Sequence, residues 1–156
     1  MAAFGSVFAF NNLIFLGALS KSDNSIVDIT WSLSLLVPNY LGMYLTKSYR
    51  NPRVLLSNLL VTIWATRLSY HIGSRHQGKE DYRYAQWRKD WEKEGKSVAY
   101  QSWSFVFMLQ AMFSCVNNVS ALYITMNPSK RPLGRLDAMG VALWTTGFVF
   151  EALGDK

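Results

Sequence analysis

The residues that could do chemistry in this chain are ionisable side chains placed inside long apolar segments. Asp28 stands near the start of one segment, and Arg67 stands about two turns from the end of another. Glu151 and Asp155 stand one helical turn apart in a third segment. A charged side chain is costly at membrane depth and usually faces a cavity or the interior of a helical bundle. Two carboxylates four residues apart repel each other without a cation or hydrogen-bond donors between them. Glu151 therefore needs a partner, which we expect to be Arg67 or Arg83.

Two further sets of polar residues follow helical spacing. Five residues of one segment fall on one side of a helix: Arg67, Tyr70, His71, Ser74 and Arg75. They could line a cavity, or the arginines could extend towards the membrane surface while their stems stay among lipid chains. Asp28, Ser32 and Asn39 form a polar stripe, which could serve a site or could form hydrogen bonds between helices. Two histidines alone do not predict a metal site.

The elements that must position these residues are membrane-spanning helices. Half of the 156 residues are hydrophobic and only 17% are charged, against about 25% in a typical soluble domain. The apolar runs approach the roughly 20 residues that a span needs. We predict an all-α transmembrane bundle, forming one domain over residues 1–156. Its five spans run from about Phe4 to Leu19, Ile26 to Thr46, Val54 to Ile72, Trp103 to Met126, and Asp137 to the end. The net charge of +6 sits in loops beside these spans, so we expect a membrane protein and no nucleic-acid partner.

The long loop 73–100 holds the densest block of charge in the chain. Within it the aromatic residues Tyr84, Trp87 and Trp91 recur at the spacing of one helix face. Gly95 is typical of a helix end. A basic helix carrying tryptophan between two spans favours an anchor in the lipid headgroup layer.

Three motifs follow one another along the chain. The first is DITWS at 28–32 and the last is GFVFEALGD at 147–155. Between them lies the longest, WATRLSYHIGSRHQGKEDYRY at 64–84, with its Trp-x-x-Arg-Leu, Arg-x-x-Gly and Glu-Asp-x-Arg-Tyr elements. Together they resemble the signature of the DUF1295 group of membrane proteins, within the steroid 5-alpha-reductase superfamily. Members of that group continue well past the last motif, so we expect these 156 residues to be an incomplete form.

The resemblance implies a membrane reductase that transfers hydride from NADPH to a carbon–carbon double bond of a lipid or steroid-like enone. It implies a cofactor held in a cavity of the bundle by these residues: Arg67, Arg75, Asp81, Arg83, Tyr84, Glu151 and Asp155. An acid near the substrate carbonyl would stabilise the developing enolate, and Asp28 and Tyr70 are its candidates. In a eukaryote the location implied is the endoplasmic reticulum.

Two alternatives remain open at this point. One is a membrane methyltransferase of the isoprenylcysteine type, which has a related architecture and uses S-adenosylmethionine. The other is a membrane protein without catalytic activity. The identity of a co-purified cofactor would separate the reductase from the methyltransferase. The lack of any bound nucleotide would favour the protein without catalytic activity.

Overall fold

A computed structural model describes residues 2–155, and these are helical with no β-strand among them. The helices are α1 (Ala2–Lys21), α2 (Ile26–Trp31), α3 (Leu36–Leu45), α4 (Pro52–Arg75), α5 (Tyr82–Lys93), α6 (Val98–Gln101), α7 (Leu109–Asn117), α8 (Val119–Met126) and α9 (Arg135–Gly154). A 3₁₀ segment, Ser32–Leu35, joins α2 to α3, and a π-helical segment, Ser102–Met108, joins α6 to α7. The all-α prediction is therefore confirmed.

The chain runs back and forth between two ends of the bundle. At one end the turn after α1 meets the loop after α4, where the backbone N–H of Asn24 donates to Glu80 over 2.8 Å. At the other end the turn after α3 meets the loop after α8, where Asn51 Nδ2 donates to the carbonyl of Ser129 over 2.7 Å. Residues far apart in sequence thus meet at two poles, as expected for antiparallel helices joined by short loops.

Two of the helices, α1 and α9, are long and apolar enough to cross a membrane. The stretch from Val98 to Met126 would be a third span if its two parts, bent by 57° at Asn118, are counted together. The helix α4 has 24 residues and is about 36 Å long, but it is too polar to qualify on composition. Five spans therefore remain a prediction for segments 26–46 and 54–72.

A break in the second helical passage lies next to its proline. Pro38 has no N–H to donate to the carbonyl four residues earlier, and its ring crowds that carbonyl. The affected turn contains Ser34, and residues Ser32–Leu35 wind as a 3₁₀ segment. The irregularity that a proline imposes on a helix is thus observed one turn before Pro38.

The interior of the bundle contains a row of hydrogen-bonded polar side chains. Ser34 Oγ donates to Ser114 Oγ over 2.7 Å, and Asn39 Nδ2 donates to Asn118 Oδ1 over 3.0 Å. Ser32 Oγ donates to a backbone carbonyl of α4 over 2.9 Å. Hydrogen bonds of this kind hold helices together where lipid removes the hydrophobic drive for association. Of the two readings of the polar stripe, helix-to-helix bonding is confirmed for Ser32 and Asn39.

The aromatic face of α5 packs partly on the bundle. Tyr84 is buried in a core cluster with Val27 and Phe107, and Trp91 packs against the same cluster. Trp87 remains 47% exposed. The helix ends before Gly95, whose φ of +68° suits glycine at this position. Of the three aromatic residues Tyr84, Trp87 and Trp91, Trp87 is therefore the one with the exposure that an anchor in the headgroup layer requires.

The glycines of α9 face open space. At Gly140, Gly147 and Gly154, a Cβ atom would meet no atom of residues 2–155 within 4 Å. Large apolar side chains of the same helix, including Leu136 and Phe150, are also exposed. Close helix packing on the glycine face is thus not observed in the described part of the chain.

Candidate functional site

A polar cavity of about 740 Å³ opens where α4 ends. Its walls come from α2, α4, the loop 76–81, α5 and the end of α9. The lining residues are Ser25, Asp28, Ile29, Leu68, His71, Ile72, Arg75, His76, Gln77, Lys79, Glu80, Asp81, Tyr82, Arg83 and Asp155. Five of the nine predicted site residues are among them: Asp28, Arg75, Asp81, Arg83 and Asp155. The motifs at 28–32, 64–84 and 147–155 therefore converge on one place.

The loop 76–81 is fixed in position by Glu80. Its carboxylate accepts a hydrogen bond from the backbone of Asn24 and two from Arg88, over 2.8 and 3.2 Å. The Glu80 hydrogen bond raises the pKa of Arg88. His76 also pairs with Asp23 across the same junction, over 3.1 Å. Glu80 therefore positions the loop and has little capacity left for a ligand.

Asp81 caps the N-terminus of α5 and holds Arg83 at the cavity. Its carboxylate accepts from the backbone N–H of Arg83 over 2.9 Å and from the Arg83 guanidinium over 3.0 Å. The side-chain hydrogen bond from Arg83, with the backbone one, lowers the pKa of Asp81. The guanidinium also lies 3.4 Å from the carboxylate of Asp28. Arg83 is thus held between two carboxylates, with 55% of its side chain exposed to the cavity mouth.

Asp28 and Tyr84 form a hydrogen-bonded pair behind Arg83. The Tyr84 hydroxyl donates to Asp28 Oδ1 over 2.8 Å. Burial, followed by the nearby Asp28 charge, raises the pKa of Tyr84. The phenol therefore keeps its proton at neutral pH. Tyr84 is buried and does not line the cavity, and it contacts the cavity wall through Asp28.

A cluster of charges, which we call the clasp, joins α4 to the end of α9. It consists of Trp64, Arg67, Glu151 and Asp155. Arg67 Nη1 donates to Glu151 Oε1 over 2.9 Å, and Trp64 Nε1 donates to Glu151 Oε2 over 2.9 Å. Arg67 Nη2 lies 2.6 Å from Asp155 Oδ2, an ion pair whose geometry does not make a hydrogen bond. The partner expected for Glu151 is therefore Arg67 and not Arg83.

Arg75 reaches the same end of α9 from about two turns further along α4. Its guanidinium donates to the backbone carbonyl of Asp155, and His71 Nε2 lies 3.8 Å from the Asp155 carboxylate. Arg67, His71 and Arg75 are spaced four residues apart and so share one face of α4. This face, and not the whole predicted side of the helix, meets α9.

Tyr70 is not part of this arrangement. It is 77% exposed, and it lines neither the polar cavity nor the two cavities that adjoin Trp64. A step of three residues rotates it by about 60° from Arg67 around the helix, which takes it off the face that meets α9. The structure gives no support for its predicted role, which stays a prediction.

An apolar groove runs along α4 and α9 beyond the clasp. It consists of two adjoining cavities, of about 290 and 330 Å³, that share Trp64 and Trp144. Trp144 stacks on Phe148 with ring centroids 4.8 Å apart, and Trp31 meets Trp64 edge-on at 6.1 Å. The indole N–H of Trp31 is buried without an acceptor among residues 2–155. Glu151 lines this groove and Asp155 lines the polar cavity, so the clasp lies where the two meet.

The sequence analysis did not identify this aromatic groove. Trp31 and Trp64 stand within the quoted motifs, but nothing in either motif alone shows that their rings meet. Trp144, Phe148 and Glu151 are spaced by four and three residues, which places them on one face of a helix. That spacing is the feature of the sequence from which the α9 side of the groove could have been predicted.

No curated protein and no solved structure matches this chain. The model of one family, described as a protein of unknown function (DUF1295), matches residues 14–156. This range contains all three motifs and every residue of the cavity and the clasp. The chain therefore belongs to the DUF1295 family.

Proposed function

We propose that this chain forms the cofactor and substrate site of a multi-pass membrane oxidoreductase that uses NADPH. The substrate would be a lipid or steroid-like enone reduced at its carbon–carbon double bond. In a eukaryotic cell we expect the protein in the endoplasmic reticulum. The observation that carries the proposal is a polar cavity with unpaired cations that meets an apolar aromatic groove at a single charged junction.

The donor set of the polar cavity fits a phosphate-bearing cofactor. Arg75 and Lys79 line it and form no ion pair with a carboxylate side chain of residues 2–155. Arg83 stands beside them, held in place by Asp81. Arginine and lysine are the usual phosphate ligands, arginine through paired hydrogen bonds. These three cations would hold the cofactor phosphates.

The clasp has a different role from the one implied by the resemblance. Both carboxylate oxygens of Glu151 and the guanidinium of Arg67 are already used between α4 and α9. We therefore assign Arg67 and Glu151 to positioning α9, and expect Asp155, at the cavity wall, to contact the cofactor together with Arg75, Lys79 and Arg83. When bound, NADPH would supply a hydride.

The aromatic groove fits the other reactant. Flat rings pack well against tryptophan faces, and aromatic pairs add about 0.5–1.5 kcal/mol beyond the burial of their area. A ligand oxygen near Trp31 would give its buried N–H the acceptor that it lacks. On the cavity side, the Tyr84 hydroxyl donates a hydrogen bond to Asp28. A protonated Asp28 could in turn donate to the substrate oxygen and stabilise the developing enolate.

Cofactor titration of the purified chain in lipid nanodiscs tests this proposal. Loss of a charged hydrogen bond costs about 1.5–3 kcal/mol, and exposure of these side chains brings the expected loss to the lower end. We expect Arg75→Ala and Lys79→Ala each to weaken NADPH binding about tenfold. Lys93→Ala, an exposed cation on α5 outside the cavity, is the matched control and should leave binding unchanged.

Three outcomes would count against the proposal. Binding of S-adenosylmethionine in preference to NADPH would favour the methyltransferase. Binding of neither would favour a protein without catalytic activity. Equal weakening by Lys93→Ala would show that any basic residue, and not this cavity, attracts the nucleotide.

A further inference from the structure

A basic concavity of about 480 Å³ lies at the opposite end of α4 from the polar cavity. Its walls are the turn 46–52 and the loop 128–132. Four cations line it, Lys47, Arg50, Lys130 and Arg131, together with uncharged residues and no carboxylate. None of the four pairs with an acidic side chain of residues 2–155. The concavity therefore concentrates positive charge that the described chain does not neutralise.

The shape of this concavity does not depend on its cations. Asn51 caps α4, and its amide also donates to the carbonyl of Ser129 over 2.7 Å. Arg53 holds Asp137 over 2.7 and 2.9 Å and donates to the carbonyl of Pro132 over 3.1 Å. These contacts tie the two loops together while leaving the four cations free. A ligand would meet a wall that is already formed, which lowers the ordering cost of binding.

The surroundings favour a lipid over a free ion. Apolar side chains that are largely exposed stand beside the concavity in sequence, with Tyr44 at 75% and Leu136 at 81% exposure. Leu136 lies in the first turn of α9, one of the helices able to cross a membrane. The concavity thus adjoins the end of a candidate span, at the level where headgroups meet acyl chains. A molecule with an anionic head and apolar tails would match both surfaces.

We propose that this concavity binds the headgroup of an anionic phospholipid. The phosphate and any further anionic group would be held by Lys47 and Arg50 from one loop and by Lys130 and Arg131 from the other. The acyl chains would lie on the exposed apolar surface beside Leu136. This site is separate from the polar cavity, since α4 is about 36 Å long between them, and the inference does not depend on the reaction proposed above.

Lipid titration of the purified chain in detergent tests the inference. The probes are phosphatidylglycerol and phosphatidylcholine with the same short acyl chains, and inorganic phosphate, with binding followed by thermophoresis. We expect phosphatidylglycerol to bind at least tenfold more tightly than phosphatidylcholine. Each basic residue near an anionic lipid contributes about fivefold in affinity, so Arg50→Gln with Arg131→Gln should weaken phosphatidylglycerol binding about twenty-five-fold.

The matched control is Lys89→Gln with Lys93→Gln, which removes the same charge from α5 at the other end of the bundle. This pair should keep the preference for phosphatidylglycerol. If the first double variant fails to fold, Lys47→Gln with Lys130→Gln again removes one cation from each loop. Equal affinity for the two lipids, equal loss in the control pair, or phosphate binding as tight as phosphatidylglycerol would overturn the inference.

Discussion

The clasp predicts a measurable coupling between α4 and α9. Arg67 is held by Glu151 over 2.9 Å, and the two side chains are 21% and 35% exposed. A hydrogen bond between charged groups contributes about 1.5–3 kcal/mol when buried, and an exposed pair contributes under 1 kcal/mol. This half-buried pair lies between the two, so we expect a coupling free energy of about 1–2 kcal/mol.

A double-mutant cycle measures that coupling. The variants are Arg67→Ala, Glu151→Ala and both together, and the cycle isolates the interaction from other effects of each change. The single cysteine, Cys115, is only half-buried in α7, and its reaction with a fluorescent maleimide on heating reports unfolding. For a chain of this size 1 kcal/mol shifts the melting temperature by about 2–4 °C. The single changes should therefore each lower it by several degrees, and the double change should lower it by less than their sum.

The ion pair between Arg53 and Asp137 provides the matched control. It joins the same two helices at the opposite end, with distances of 2.7 and 2.9 Å. Its own cycle should show a similar coupling in stability and no change in cofactor binding. The clasp cycle should show a coupling in stability and also a weakening of cofactor binding, because displacement of α9 would move Asp155 at the cavity wall. Additive changes in the clasp cycle, beside a clear coupling at Arg53 and Asp137, would refute the assignment of Arg67 and Glu151 to positioning.

Two further predictions concern the membrane and the helix α5. Because α1 and α9 are long and apolar enough to cross a membrane, the protein should stay in the membrane pellet after carbonate extraction, and release into the supernatant would contradict this. Trp91 packs against the core cluster while Trp87 is 47% exposed. Trp91→Ser should therefore lower stability by about 3 kcal/mol or more, seen by the same maleimide assay. Trp87→Ser should leave the melting temperature within about 1–2 °C, since surface changes are usually worth under 0.5 kcal/mol. Equal effects of the two would contradict the packing of α5.

The helices were largely predictable because their signals are local. The apolar runs and Gly95 after α5 are read from neighbouring residues, and each corresponds to a helix or a helix end in the structure. The number of membrane-spanning helices was less predictable. The helix α4 has the length of a span, but Asn58 and Arg67 lower its hydropathy while facing the inside of the bundle. Composition alone cannot tell a polar residue that faces lipid from one that faces another helix.

The site was predictable as a set of residues and not as an arrangement. Sequence reasoning predicted that Glu151, which shares a helix with Asp155, has Arg67 or Arg83 as its partner, because two carboxylates on one helix need a cation. It could not show that the Glu80 carboxylate accepts hydrogen bonds from Arg88 and from the backbone of Asn24, since those contacts depend on how two loops meet. The pairing of Asp28 with Tyr84 joins residues 56 positions apart, and no periodicity within one helix reports such a contact.

The clasp also runs against a local rule, and this bears on its importance. Two carboxylates one turn apart on a helix repel each other. The helix α9 and the residue after it nevertheless place Glu151 and Asp155 at this spacing. Arg67 offsets both charges, and Arg75 donates to the backbone carbonyl of Asp155. A protein that needed only to hold α9 against α4 could do so with apolar side chains at lower cost. Local rules are broken mainly at functional sites, and this exception lies where the polar cavity meets the aromatic groove.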